Sequence, residues 1–222
     1  MKKGPLVTID GPAGAGKSTV SRILAKRLSC LYLDTGALYR AVAYRVIREG
    51  ISSTDEEGIA ALCGRVNIRL RLIDDALRVF ADEEDVTEEI RMESVSLLAS
   101  TLSALPVVRS ALLSIQRESG KHGGIIAEGR DMGTVIFPEA DFKFFLDADV
   151  EERVRRRCRE LILRGEKVDC PSLRKDLLFR DKQDRERTLA PLKVPDDAII
   201  LDSTHLTVDA VVNAMLAVIT GQ

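Results

Sequence analysis

Short apolar runs alternate with amphipathic stretches along most of the chain. Residues 5–10 (PLVTID) form a β-branched run that ends in a glycine-rich turn, Gly11–Gly16. Lys17–Leu28 then repeats Val20, Ile23, Leu24 and Leu28 on one helical face. Leu31–Leu33 reads as a second strand, and Ala37–Arg48 as a helix stopped by Gly50. Residues 54–93 change character. Thr54–Cys63 predicts a helix with an acidic first turn. Val66–Ile73 alternates apolar and polar residues, turns at Asp74-Asp75 and returns over Ala76–Ala81, which predicts an antiparallel hairpin. Ser94–Ser103 and Val107–Ser119 are helical, with Pro106 forcing a break near Leu105. Strand and helix patterns then resume: strands at Gly124–Ala127, Lys143–Leu146 and Ala198–Leu201, and helices at Val150–Arg164, Ser172–Arg187 and Val208–Ile219. Five short core strands, each followed by a helix, predict a parallel α/β sheet, with the hairpin as an insertion.

Composition narrows the class. The 222 residues are 45% hydrophobic and 31% charged, enough for one sizeable core without a disulfide or metal staple. A formal net charge of -2, from 33 basic and 35 acidic residues, excludes a disordered chain and a globally basic nucleic-acid coat or membrane binder. The 4% aromatic content, with no Trp, argues against a base-stacking platform. Cys30, Cys63, Cys158 and Cys170 form no C-x-x-C, so four reduced thiols are expected rather than a zinc site. Lys2 and Lys3 precede a buried first strand rather than a signal segment. No apolar run reaches the roughly 18–20 residues of a membrane span. A cytoplasmic chain is expected, its apolar content consistent with a monomer, with no nucleic-acid or membrane partner.

The strongest local signal is Gly11-Pro12-Ala13-Gly14-Ala15-Gly16-Lys17-Ser18, which fits G-x-x-x-x-G-K-[ST] between a strand and a helix. Glycines let successive N–H groups turn inward, and the following helix adds its positive end. Lys17 suits the β- and γ-phosphates of ATP, and the Ser18 hydroxyl suits Mg²⁺. The donor site is therefore expected to span Gly11 to Thr19. Such a phosphate-binding P-loop serves kinases, ATPases and motors alike, so it does not name the acceptor. No N-K-x-D guanine motif accompanies it.

Three further clusters are candidates for the acceptor. Asp34-Thr35-Gly36-Ala37-Leu38-Tyr39-Arg40 puts a hydroxyl and a guanidinium at a strand–helix junction, suited to a second anion or to a helix cap beside a solvated Arg. Glu128-Gly129-Arg130-Asp131 follows a buried strand, where open α/β sheets bind ligands; a capped turn would look the same. On the last charged helix Arg180, Asp184 and Arg187 share a face, as a solvated surface also would. Arg153 and Arg157 sit one turn apart in a helix that also carries Arg155, Arg156 and Arg159.

Together GPAGAGKST, DTGALYR, the acidic EDVTEEIR, ALPVVR, EGRDMGTVIFP, FKFFLDA, and RDKQDRERTLAPL followed by AIILDST resemble the bacterial-type cytidylate kinases, from residue 5 to about 205. The resemblance implies a P-loop kinase fold: a five-stranded parallel sheet flanked by helices, a monophosphate-binding insertion with a small antiparallel sheet, and a helical lid. The implied core covers about 1–35, 105–150 and 188–222, the insertion about 36–104 and the lid about 151–187. It implies transfer of the γ-phosphoryl group of ATP to CMP or dCMP. Arg40, Arg130 and Arg187 would grip the acceptor phosphate, with Thr35 beside them. Ser100, Arg109 and Asp131 would read cytosine, and Arg180 and Asp184 would touch the sugar. Arg153 and Arg157 would close over the transferring group, with Lys17, Arg130 and Arg187 completing the catalytic set. Another small P-loop kinase and a non-catalytic P-loop module are the competing readings. The first would lack the Asp131/Arg109 edge pattern, and the second would lack Lys17 or the arginines.

The balanced total hides a segregation. Residues 54–93 hold 12 acidic and 5 basic residues, whereas 151–187 hold 9 acidic and 13 basic. A small polyanion inside a cleft fits that layout better than a long one across a surface.

Overall fold

The computed structural model describes residues 4–74, 76–165 and 167–221; Lys2, Lys3 and Asp75 of the expected hairpin turn lie outside them. Five strands form one sheet in the order β2 (Leu31–Asp34), β6 (Ile125–Gly129), β1 (Leu6–Asp10), β7 (Phe142–Asp147) and β8 (Ile199–Asp202). Every pairing is parallel, with Val7 level with Ile126 on one side and Phe142 on the other. The three central strands are buried on both faces, which explains their near-continuous apolar runs. Helices α1 (Lys17–Arg27) and α8 (Val208–Thr220) cover one face, where Val7, Ile9, Leu24, Phe144 and Met215 are fully enclosed.

The expected insertion is a lobe with its own core. It contains α2 (Thr35–Arg48), α3 (Glu56–Arg65), the hairpin of β3 (Ile68–Ile73) and β4 (Ala76–Ala81), and α4 (Glu93–Leu102). Ile68 pairs with Ala81 and Ile73 with Ala76. A two-residue strand, β5 (Glu84–Asp85), adds a third member that is too short to carry a sequence signal. Pro106 opens α5 (Pro106–Gly120) at its first turn, where its missing N–H costs nothing, and α4 and α5 meet at 102°. Leu38, Val42, Ile59, Leu62, Leu102 and Leu112 interlock beneath this lobe.

Part of the acidic character of this lobe is answered within it. Glu83 meets Arg69 and Arg71, Asp85 meets Arg78, and Asp82 meets Arg45. These are exposed pairs, worth little individually, and they form a solvated outer face.

The charged helices are α6 (Val150–Leu163) and α7 (Cys170–Glu186). Val154, Cys158, Leu161, Leu173 and Leu177 pack between them and reach Ala13 of the glycine loop. Four free thiols were expected, but the structure joins Cys158 to Cys170 as a disulfide, with Cα atoms 6.0 Å apart. The helix pairing produces this proximity, and linear spacing carries no trace of it. Cys30 and Cys63 are free. Among the described residues no single helix is long and apolar enough to cross a membrane.

Candidate active site

The loop between β1 and α1 is set by close approach. At Gly11 a Cβ would lie 2.0 Å from the Leu146 carbonyl oxygen of β7, so any side chain would push the loop off the sheet. Gly14 has φ +77 and lies under Arg153, a conformation that disfavours an L side chain. The turn ends at Gly16, and Lys17 begins α1, so the helix N-terminus faces the cleft. Lys17 Nζ donates to the Pro12 carbonyl at 2.7 Å. Burial, aided by the Arg130 charge, lowers its pKa to about 7, against the pull of Glu128, Asp184 and Asp10.

Glu128 is the next-to-last residue of β6, beside this loop. Its carboxylate accepts from the Tyr32 hydroxyl, and Ser18 is close enough to help hold its pKa down. Burial raises its pKa, and Asp34 adds to the rise while Lys17 opposes it. Sequence reasoning named the cluster that begins at Glu128 but gave this residue no role. Its signal was a lone acid closing a buried apolar strand. Asp10 has the same signature. It is fully buried, and desolvation raises its pKa to about 6 although the Gly133 and Met132 N–H groups stabilise the anion. Those two donors approach at 2.8 and 2.9 Å, so Asp10 ties down the chain immediately after Asp131. That chain winds through one π-type turn, Met132–Ile136.

Across the cleft, side chains take over from backbone. Asp34 caps α2 by accepting from Ala37 N and binds Arg40 Nη2 at 2.7 Å. Burial pushes the Asp34 carboxyl up, but Arg40 outweighs it and holds the pKa low. Thr35 donates to the Glu128 carbonyl at 2.6 Å, which pins α2 to β6. Arg130 Nε binds Asp184 at 2.6 Å. Arg109 binds the Asp131 carboxylate directly, donates to the Ser103 carbonyl and lies 5.8 Å over the Tyr39 ring. Burial raises the Asp131 pKa, with Arg109 and Arg187 opposing. Arg187 donates to the Ala190 carbonyl and to Ser103 Oγ at 2.8 Å each, with Asp131 at 3.6 Å. Ser100 meets Gln183 of α7 at 3.3 Å. The cleft enclosed by these groups and the glycine loop has a volume of about 1860 Å³.

The helix-pair arginines divide. Arg153 is 2% exposed and is committed to the Ala13 and Ala148 carbonyls and to Asp181 at 2.7 Å. It clamps α6 onto the glycine loop instead of projecting over the cleft. Arg157 lines the cleft and binds Glu93 of α4 and Glu160. Arg180 also lines it, 3.5 Å from Glu93. Arg156, which sequence reasoning passed over among five similar residues, bridges the Ala15 carbonyl and Ser203.

Arg40 Nε, Arg180 Nε and Arg187 Nη2 are buried with no hydrogen-bond partner. Leaving such donors unpaired costs on the order of 1–3 kcal/mol each. An anion with several oxygens seated among them would recover that cost.

The family model for cytidylate kinase matches residues 7–221. A cytidylate kinase of a Geobacter species is 50% identical over 214 residues, covering 96% of this chain and 92% of its own. One from Citrifermentans bemidjiense is 49% identical with the same coverage. The crystal structure of a gluconokinase from Sinorhizobium meliloti superposes with a TM-score of 0.51 at 15% identity, covering 99% of this chain and 94% of that one, a likeness of fold alone. The match begins in the first core strand and ends just past the last helix, so it takes in loop, insertion and charged helices alike, and the chain belongs to the cytidylate kinase family.

Proposed function

We propose that the cleft carries out direct in-line transfer of the ATP γ-phosphoryl group to CMP or dCMP, with the arginines opposite the glycine loop holding the acceptor phosphate. ATP-dependent phosphorylation of CMP is the activity of the family to which the chain belongs. The observation that carries the finer reading is that Arg40 Nε and Arg187 Nη2, on two of the arginines lining the cleft around Arg130, are buried without a hydrogen-bond partner.

On the donor side the N–H groups of residues 11–19 and the start of α1 receive the ATP phosphates. Lys17 leaves the Pro12 carbonyl for the β- and γ-phosphate oxygens. The Ser18 hydroxyl and the Glu128 carboxylate offer the hard oxygen donors that Mg²⁺ takes alongside phosphate and water, so these residues fit that ion. When bound, Mg²⁺ neutralises charge on the β- and γ-phosphates.

On the acceptor side Arg40, Arg130 and Arg187 grip the monophosphate, and Arg180 and Asp184 face the sugar. Arg153 holds the glycine loop in shape while Arg157 moves onto the transferring group. An acceptor phosphate oxygen attacks the γ-phosphorus as the bond to the β-bridging oxygen breaks, and ADP leaves with that electron pair. The attacking group is already an anion, so no general base is required. Positioning and charge neutralisation do the catalysis. Closure of the 151–187 lid over the 36–104 insertion excludes water.

Asp131 accepts from the cytosine N4 amine, and Arg109, with Ser100 nearby, donates to N3 and O2. Uracil would set a carbonyl against the Asp131 carboxylate in a dry site. Coupled ADP release measured across CMP, dCMP, UMP, AMP and GMP tests the reading. CMP and dCMP are expected to lead, and equal rates with UMP would remove the base-reading roles.

A further inference from the structure

Glu93 lies outside every role given above, yet it sits where the two moving parts meet. It begins α4 on the insertion side. Its two carboxylate oxygens point at different arginines of the helix pair: Oε2 binds Arg157 Nη2 at 2.6 Å and Oε1 lies 3.5 Å from Arg180 Nη1. All three side chains are between 16% and 24% exposed, so the pairs are partly shielded from solvent. A carboxylate that offers one oxygen to each of two guanidinium groups presents the same edge that a phosphate would. Burial works against the Arg157 charge, but Glu93 and Glu160 outweigh it and hold its pKa above the ordinary value. Arg180 has the opposite balance. Burial and the nearby Arg130 depress its pKa, and Glu93 and Asp184 are the carboxylates that offset them.

We propose that Glu93 is a positioning residue that stands in for substrate phosphate, holding Arg157 and Arg180 across the cleft and releasing Arg157 to the donor only when the acceptor phosphate arrives. The order follows from charge. Arg180 is near enough to Arg130 and Arg40 to feel both, so a monophosphate seated on those arginines draws Arg180 away from Glu93. The incoming dianion also repels the Glu93 carboxylate whose place it takes, so Arg157 loses that partner and the triphosphate competes for it against the Glu160 bond alone instead of two. ATP alone faces the full latch, so Arg157 stays with Glu93 and the γ-phosphoryl group lacks its final counter-charge. Transfer to water, in which a water oxygen would replace the bond to ADP and release its protons to solvent, is held down until CMP is present. This inference rests on Arg157 reaching the transferring group.

The test measures phosphate release from ATP without CMP, and ADP release with CMP, for Glu93→Gln, Arg157→Gln and the double variant. Glu93→Gln is expected to raise CMP-independent hydrolysis at least about fivefold, and the double variant to lose that gain, because it flows through Arg157. Glu93→Asp keeps the charge but reaches one arginine, and should fall between wild type and Gln, which covers the case of a poorly folded Gln variant. Calorimetry with β,γ-imido-ATP adds a binding readout: CMP should tighten its binding in the wild type and do so less in Glu93→Gln. A loss of kinase turnover in Arg157→Gln, together with wild-type hydrolysis and wild-type CMP coupling in Glu93→Gln, would overturn the latch while sparing the lid role. Full kinase turnover in Arg157→Gln would overturn both.

Discussion

In the proposed reaction the two sides of the cleft would hold phosphate by different means. The donor side is one contiguous segment in which backbone N–H groups and a helix end do the holding, and its shape comes from close approaches such as Gly11 against Leu146. The acceptor side draws Arg40 from α2, Arg109 from α5, Arg130 from the end of β6 and Arg187 from the end of α7, and each has a carboxylate nearby. A backbone grip survives many side-chain changes. A side-chain grip survives few, because removing one partner leaves the other buried and unpaired. The difference teaches where this enzyme is vulnerable.

The largest effect is expected on the acceptor side. Arg187→Ala should cut turnover by about 10³-fold, the scale of losing one charge-stabilising donor at a transferring group, while circular dichroism stays native. Turnover close to wild type would remove Arg187 from the acceptor grip. A stability effect comes next, at the seam between the two sides. Arg153→Met would strand the Asp181 carboxylate, whose pair with Arg153 is buried. Breaking a buried pair costs about 3–5 kcal/mol, which for a chain of this size lowers Tm by roughly 6–20 °C in calorimetry. A shift under 2 °C, within about one kcal/mol, would show that the clamp carries no weight.

Donor binding should move a proton. Lys17 has a pKa lowered to about 7, so at pH 8 it is mostly neutral, and triphosphate oxygens would restore its ammonium form. Binding of β,γ-imido-ATP should therefore take up protons at pH 8 and much fewer at pH 6, where Lys17 is already charged. Calorimetry in buffers of different ionisation enthalpy reads this directly. Lys17→Met should abolish the uptake, and proton release by the wild type would contradict the assignment. The smallest effect belongs to the backbone grip itself. Ala13→Ser adds only a hydroxyl at a loop position whose amide does the holding, and kcat/KM for ATP should stay within about twofold.

How much of this was legible in the sequence follows the same division. The glycine loop was readable because its residues are adjacent and its flanks are a strand and a helix. The parallel sheet was readable because strands buried on both faces leave unbroken apolar runs. The acceptor and lid arginines were nameable as candidates through family resemblance, yet their long-range partners were not, since Asp184 reaches Arg130 across 54 positions and Glu93 reaches Arg157 across 64. The resemblance singles out Arg153 with Arg157 and passes over Arg156, because a helix rich in arginine does not show which of its side chains meet the glycine loop. Only the docking of α6 against the loop assigns Arg153 to Ala13 and Arg156 to Ala15. Long-range pairing also hid the Cys158–Cys170 bond. Glu128 and Asp10 were visible as acids ending apolar strands, a signal that marks a position without naming its partner.

The central claim is that paired side chains on the acceptor side, Asp131 with Arg109 foremost, select the nucleotide. It is tested most directly by kcat/KM for CMP and UMP in the wild type and in Asp131→Asn. The wild type should prefer CMP by at least about tenfold, because a carboxylate accepts the cytosine amine and repels the uracil carbonyl. Asp131→Asn, which can offer an N–H to that carbonyl, should reduce the preference by about tenfold or more, chiefly through loss with CMP. An unchanged CMP-to-UMP ratio in the variant, or none in the wild type, would contradict the account.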